Sequence, residues 1–158
     1  MDMRAATAFT GHMGLELNLL TERPGDLDTL KSAIALHKRH RALLHDGDLV
    51  RLNTAPQIMA SGVVARDRSE ALYSVAYVLS DPQVLPERVR FAGLDPDRNY
   101  LVKLIWPTIW QAIKGPSAIE KLGLNQDGAT FSGAALMHGG LQLPHAHPET
   151  CLLFYVEA

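Results

Sequence analysis

The chain has 158 residues, 47% of them hydrophobic and 20% charged. That balance builds a globular core and excludes long disordered stretches, and the length fits one domain, or one small domain with an appendage. With 15 basic and 17 acidic residues the net charge is −2, which excludes a basic field for nucleic acid or a polybasic patch for a membrane.

Cys151 is the only cysteine, so no disulfide can form within the chain. No basic segment followed by an apolar one opens the sequence, and no run of about 18 apolar residues occurs. The expected location is cytoplasmic.

The first expected element is the end of a helix over Arg4 to Thr10, where Ala5, Ala6 and Ala8 favour helix and Gly11 can end it. From Gly14 to Leu19 apolar and polar residues alternate, which predicts a strand. Pro24-Gly25 reads as a turn. Asp26 to His45 is the most strongly patterned helix: Asp26 is placed as N-cap, and Leu27, Leu30, Ile34, Leu43 and Leu44 form its apolar stripe. Lys38, Arg39, His40 and Arg41 load its second half with positive charge, which reads as a solvated face matched to the helix dipole, with Gly47 as the C′ residue.

Beyond Gly47 short β-prone runs recur between Gly, Pro and Asp. Strands are predicted at Leu49–Leu52, Ile58–Val64, Ala71–Leu79, Arg88–Phe91, Tyr100–Leu104, Gly133–His138 and Leu152–Val156. A helical hint covers Ile109 to Leu122, broken by Gly115-Pro116. Strands this close together suggest an antiparallel β-sandwich, with a domain boundary near Asn53 to Pro56. Val63, Val64, Leu72, Val75, Val102, Leu104, Leu136, Leu152 and Phe154 are the expected core, and residues 1–20 the labile part.

Few side chains recommend themselves for chemistry. His145 and His147 flank Ala146 and could share one face of a strand, but a zinc site would need further ligands such as His138, and Pro144 and Pro148 make the segment a loop. No metal and no cofactor is expected. Trp106 and Trp110 could stack on a sugar, although large aromatics more often anchor a core. Cys151 precedes Leu152-Leu153-Phe154 and reads as a small buried hydrophobe.

Four segments together resemble one family. Arg4-Ala5-Ala6-Thr7-Ala8-Phe9-Thr10-Gly11-His12-Met13-Gly14-Leu15-Glu16-Leu17-Asn18 resembles the closing segment of the catalytic barrel of family 36 α-galactosidases. Gly140-Leu141-Gln142-Leu143-Pro144 with Pro148-Glu149-Thr150 resembles their last strands. Gly62-Val63-Val64-Ala65-Arg66-Asp67-Arg68-Ser69-Glu70-Ala71-Leu72 and Gly93-Leu94-Asp95-Pro96-Asp97-Arg98-Asn99-Tyr100 fit the same family in order and spacing.

The resemblance implies an α+β chain in two parts. Residues 1–53 would be the terminal helix–strand–helix portion of a (β/α)8 barrel, and residues 54–158 an antiparallel β-sandwich. The implied activity is hydrolysis, with retention, of terminal α-galactosides of the melibiose and raffinose type, without metal or nucleotide. A retaining glycosidase needs two carboxylates roughly 5 Å apart. The family carries its nucleophile in a Lys-x-Asp strand motif and its acid/base aspartate upstream of Arg4. No Lys-x-Asp occurs here, and Asp26, Asp28, Asp46, Asp48, Asp67, Asp81, Asp95, Asp97 and Asp127 read as turn or cap residues. No catalytic residue is therefore assigned.

Gly11 and His12 fall at the expected barrel rim, where such enzymes build their sites, and are the candidate substrate-binding residues; a packed polar residue beside a tight backbone is the alternative for His12. Met1-Asp2-Met3 opens inside a pattern that continues upstream in the family, so the start reads as a truncation or a misplaced gene start. The expected partner is an upstream catalytic barrel polypeptide, with galactoside bound only in the full enzyme; self-association into a homo-oligomer stays open. The competing reading is a non-catalytic β-sandwich that binds carbohydrate or protein, for which an exposed aromatic strip would speak, and 6% aromatics show none.

Overall fold

The computed structural model describes residues 1–80, 83, 86–107 and 117–158. Helix α1 spans Asp2–Phe9, with Thr10 as its C-cap. Helix α2 spans Pro24–Asp46. Pro24-Gly25 opens this helix and is not a turn: proline is well placed in the first helical turn, where its missing N–H is no loss. The N-cap is Arg23, not Asp26. Asp26 serves the first turn instead, accepting a 2.8 Å bond from Arg23 Nε.

At the other end Gly47 is extended, with φ −78°. It is glycine for lack of room: a Cβ there would meet Val63 Cγ1 at 2.6 Å and the Leu43 carbonyl at 2.8 Å.

The buried stripe of α2 is Leu30, Ala33, His37, His40 and Leu43. Leu27, Ile34 and Leu44 are only half-buried. Two histidines complete the stripe, which a count of apolar residues passes over. Lys38, Arg39 and Arg41 are exposed as expected, but His40 is not part of that solvated face.

Six strands form one sheet: β1 (Asp48–Arg51), β2 (Ile58–Val64), β3 (Glu70–Tyr77), β5 (Asn99–Trp106), β6 (Ala129–Ser132) and β8 (Thr150–Glu157). Their order is β1-β2-β3-β8-β5-β6, antiparallel throughout. A second ladder pairs only β4 (Arg88–Val89) with β7 (Leu141–Gln142). Between β5 and β6, the one-turn helix α3 (Ala118–Lys121) is held by a Ser117/Glu120 capping box. The fold is α+β with an antiparallel sheet; among the described residues its second layer is two short strands, α3 and loops, not a full second sheet.

Two sequence expectations give way here. Gly133–His138 is not a strand: β6 lies earlier, and Ala135–Gly139 forms a π-helical turn. Ser132 Oγ accepts the Ala135 N–H at 3.1 Å, which starts a turn where a ladder would otherwise continue. Gly14–Leu19 is not a strand either. No strand lies beside it among the described residues, and Asn18 turns the chain by accepting the N–H of Leu20 on its side chain and that of Thr21 on its carbonyl. Of the helix hinted at over 109–122, residues 109–116 lie outside those described, and α3 falls within the remainder.

The sheet is buried on both sides. One face sets Tyr73, Val75 and Tyr77 of β3, Leu152, Phe154 and Val156 of β8, and Tyr100 and Val102 of β5 against Phe91, Leu136, Leu141 and Leu143. The opposite face sets Leu72, Cys151, Leu153 and Trp106 against Ala5, Ala6 and Phe9 of α1 and Ala33 and Leu43 of α2. This explains the unbroken apolar run Cys151-Leu152-Leu153-Phe154, since both parities of a central strand are covered.

All nine expected core residues are buried, but Val63 and Leu72 point to the helix face and do not join the other seven. Residues 2–9 also have a firm seat: Ala5, Ala6 and Phe9 are 3%, 1% and 1% exposed. The exposed, thinly bonded stretch is residues 11–23. No helix among the described residues is long and apolar enough to cross a membrane.

Candidate functional site

α1 ends at Phe9 because the chain turns: the Gly11 N–H reaches back 3.3 Å to the Ala8 carbonyl. Gly11 is exposed, and the position of a Cβ on it is open. His12 follows with its ring edge-on to that of His45, 4.6 Å between centroids. Behind this pair His37 Nδ1 lies 3.2 Å from the Phe9 carbonyl, a bond that requires the proton on Nδ1.

Residues 12–17 then border a groove of about 510 Å³ between α1 and α2, whose polar lining is Arg4, His12 and Glu16. Of the lining residues only Glu16 carries a carboxylate. The groove can offer hydrogen bonds to a polar ligand. It cannot supply the two facing carboxylates of a retaining glycosidase. A second, apolar groove adjoins it, lined by Leu15, Leu19, Leu27, Leu30 and Ile34. Leu15, Leu19 and Leu20 are 40%, 50% and 95% exposed beside it.

The other candidates disperse. His145 and His147 sit in a loop without ladder pairing, His138 lies in the π-helical turn, and no group of three His, Cys, Asp or Glu among the described residues could hold a metal ion. Asp67 closes a turn by accepting the Ser69 N–H at 2.9 Å and its hydroxyl at 2.6 Å, bonds that hold its carboxyl below the usual range. Asp95 accepts the Asp97 N–H in the same manner. Asp26, Asp28 and Asp46 belong to α2 and Asp48 to β1, so these four are not turn residues, although Asp26 lies in the first turn of the helix and Asp46 is its last residue; Asp81 lies outside the described residues.

Cys151 is buried 3.3 Å from Ser74 Oγ, and burial pushes its thiol up. Trp106 is no platform: it ends β5 at 1% exposure and its Nε1–H donates to the Asp2 carbonyl at 3.2 Å. Trp110 lies outside the described residues.

Sequence reasoning passed over one site. Between α2 and the helix face of the sheet lies a pocket of about 410 Å³, lined by Arg39, His40, Glu70, Lys103, Tyr155 and Glu157 with Ile105. The Tyr155 hydroxyl donates to Glu70 Oε2 at 2.6 Å. Burial, that bond and the charges of Glu70 and Glu157 push the phenol up, so it stays a donor at neutral pH. The His40 ring packs on Tyr155 at 4.6 Å. Burial holds its imidazole below the ordinary value, against the pull of Glu70 and Glu157. The signal in the sequence was parity: Tyr155 and Glu157, like Lys103, are polar at the positions of apolar strands that face the helices.

Residues 58–155 match the glycosyl hydrolase family 36 C-terminal domain. The chain belongs to family 36. An α-galactosidase of Escherichia coli is 34% identical over 158 residues, covering 98% of this chain and 22% of that protein. The bifunctional α-galactosidase/sucrose kinase AgaSK of Mediterraneibacter gnavus is 29% identical over 143 residues, covering 89% of this chain and 13% of that protein. Among solved structures, the galactosidase domain of AgaSK superposes with a TM-score of 0.78 at 27% identity, covering 98% of this chain and 19% of that one.

The chain thus spans about a fifth or less of these family 36 relatives. The matched family domain begins at β2, so the groove beside Gly11 and His12 lies outside it. The polar pocket straddles its edge, with Arg39 and His40 before the domain and Glu157 just after it.

Proposed function

We propose that this chain is the C-terminal part of an α-galactosidase that removes terminal α-galactosides of the melibiose and raffinose type with retention, the catalytic carboxylates being supplied by polypeptide outside it. The observation that carries this reading is the extent of the match. Helices and sheet together superpose on the galactosidase domain of AgaSK over 98% of this chain, while covering 19% of that one.

In this reading residues 1–53 close the catalytic barrel and residues 54–158 are its companion β-domain. Gly11 and His12 stand on the rim, and His12 contributes a hydrogen bond to the sugar or to a residue that holds it. Gly14–Leu19 has the alternation of a strand and lacks a ladder, and Leu15, Leu19 and Leu20 are exposed beside it. These are the properties of an element waiting for neighbouring barrel strands, since unpaired strand groups and apolar surface both favour association. The partner is therefore the catalytic barrel polypeptide. No nucleotide or metal enters the proposed reaction, and the cytoplasm is its proposed place.

The test uses a chromogenic α-galactoside. The chain alone should give no turnover, and the same chain joined behind the catalytic portion of the E. coli relative should restore it. Replacing His12 by Ala in the joined protein should lower kcat/KM about tenfold, the loss of one hydrogen bond stronger in the transition state. Turnover by the chain alone, abolished by changing one of its own aspartates, would overturn the proposal.

A further inference from the structure

The pocket between α2 and the sheet carries two arrangements that a solvated surface does not explain. Glu70 and Glu157 stand directly opposite each other on β3 and β8, and like charges in that position repel. Among the described residues no Lys, Arg or His nitrogen comes within 4.0 Å of either carboxylate. His40, 7% exposed, lines the same pocket, and among the described residues its ring nitrogens make no hydrogen bond. A buried imidazole without a protein partner is costly unless a ligand or water supplies the missing bond.

We infer that this pocket binds one organic monocation, a guanidinium or primary ammonium, held between Glu70 and Glu157 with an N–H on the acceptor nitrogen of His40. Tyr155 occupies one oxygen of Glu70 and fixes the carboxylate, leaving the other oxygen to the ligand. A guanidinium offers five donors in one plane, enough to span two carboxylates and an imidazole. A metal ion fits worse, since no set of three ligating side chains is assembled among the described residues.

Arg39 and Lys103 line the same pocket, Lys103 on β5 opposite Tyr155 and so across β8 from Leu72, the next position along β3 from Glu70 on the same face. Their positive charge works against any cation here, so the ligand must gain more from direct bonds to the two carboxylates than it loses to Arg39 and Lys103, and a single charge loses less than a double one. This inference is independent of the galactosidase reading, because none of these residues lines the groove beside His12.

The experiment follows the ring signals of His40 and Tyr155 by NMR in the full chain at about pH 7.5, where a histidine of ordinary pKa is already neutral. Methylguanidinium chloride is titrated against sodium chloride of equal ionic strength. The expected result is a saturable shift of both rings with methylguanidinium and none with sodium. Binding should weaken about tenfold in Glu157→Gln, the loss of one charge-assisted bond, and likewise in Glu70→Gln; Arg39→Ala should keep or strengthen it.

A capped Gly-Arg-Gly peptide separates the two sources of the cation. Tighter binding than methylguanidinium points to a side chain of a partner polypeptide, and weaker binding to a free small amine. No saturable shift, an unchanged shift in both glutamine variants, or loss of binding in Arg39→Ala would overturn the inference.

Discussion

The two faces of the six-stranded sheet are closed in different ways. The face towards β4 and β7 is built from aromatic rings whose hydroxyls are spoken for. Tyr73 stacks on Phe91 at 4.3 Å and donates to the Ala92 carbonyl at 2.6 Å, Tyr77 donates to the Pro144 carbonyl, and Tyr100 to that of Arg68. The helix face is filled by alanines, by Phe9 and by two histidines, and opens at its margin into the polar pocket. A sheet face whose polar groups are bonded within the protein answers mainly to packing. One that buries imidazoles also answers to protons and ligands.

The largest effect should come from the aromatic face. Phe154, fully buried in β8, replaced by Ala should cost about 3–5 kcal/mol in denaturant unfolding. The same change at Phe9 should cost less globally, because α1 has eight residues and can leave its seat while the sheet stays folded. Hydrogen exchange should then show residues 2–9 losing protection while β3 and β8 keep theirs. Equal global losses at the two positions would break the distinction between the faces.

pH sharpens it. His40 has its folded value lowered from 6.5, chiefly by burial and further by Arg39, with Glu70 and Glu157 opposing. The unfolded chain then binds the proton more readily than the folded one, so stability is fully present above the unfolded pKa and is lost as pH falls below it towards the lowered folded value. The melting temperature should fall from neutral pH towards pH about 5, and His40→Phe should flatten that fall. A fall of unchanged slope in His40→Phe would assign the dependence to other groups.

The smallest effect concerns the segment that belongs to neither face. Leu20, 95% exposed, changed to Ser should alter the stability of this chain by no more than about 0.5 kcal/mol. In the same region limited proteolysis should cut first, within residues 11–23, while α1 and the sheet resist. First cleavage within β2, β3 or β5 would show that the stretch between the helices is better held than its bonding indicates.

Much of the framework was readable from pattern. Ile58–Val64 stands as a strand at its predicted limits, and the 26–45 helix appears with two residues added at its start and one at its end. The family too was readable, from four short segments. The candidate site was less so. Gly11 and His12 lie at the end of α1 as expected, but only His12 borders the groove. The polar pocket was out of reach because its residues come from four separate elements: Arg39 and His40 from α2, Glu70 from β3, Lys103 from β5, and Tyr155 and Glu157 from β8.

What the sequence determined alone is what local chemistry can decide. Apolar periodicity marks where helix and strand are stable, and Pro and Gly mark where they stop. The tertiary structure decided which side of each element is covered. It divided the expected core between two faces, buried His40 inside a cationic run, made a π-helical turn of Ala135–Gly139, and left Gly14–Leu19 without a ladder. Each of these depends on what lies opposite, and a strand or a buried imidazole is stable only with a neighbour that periodicity along one segment does not name.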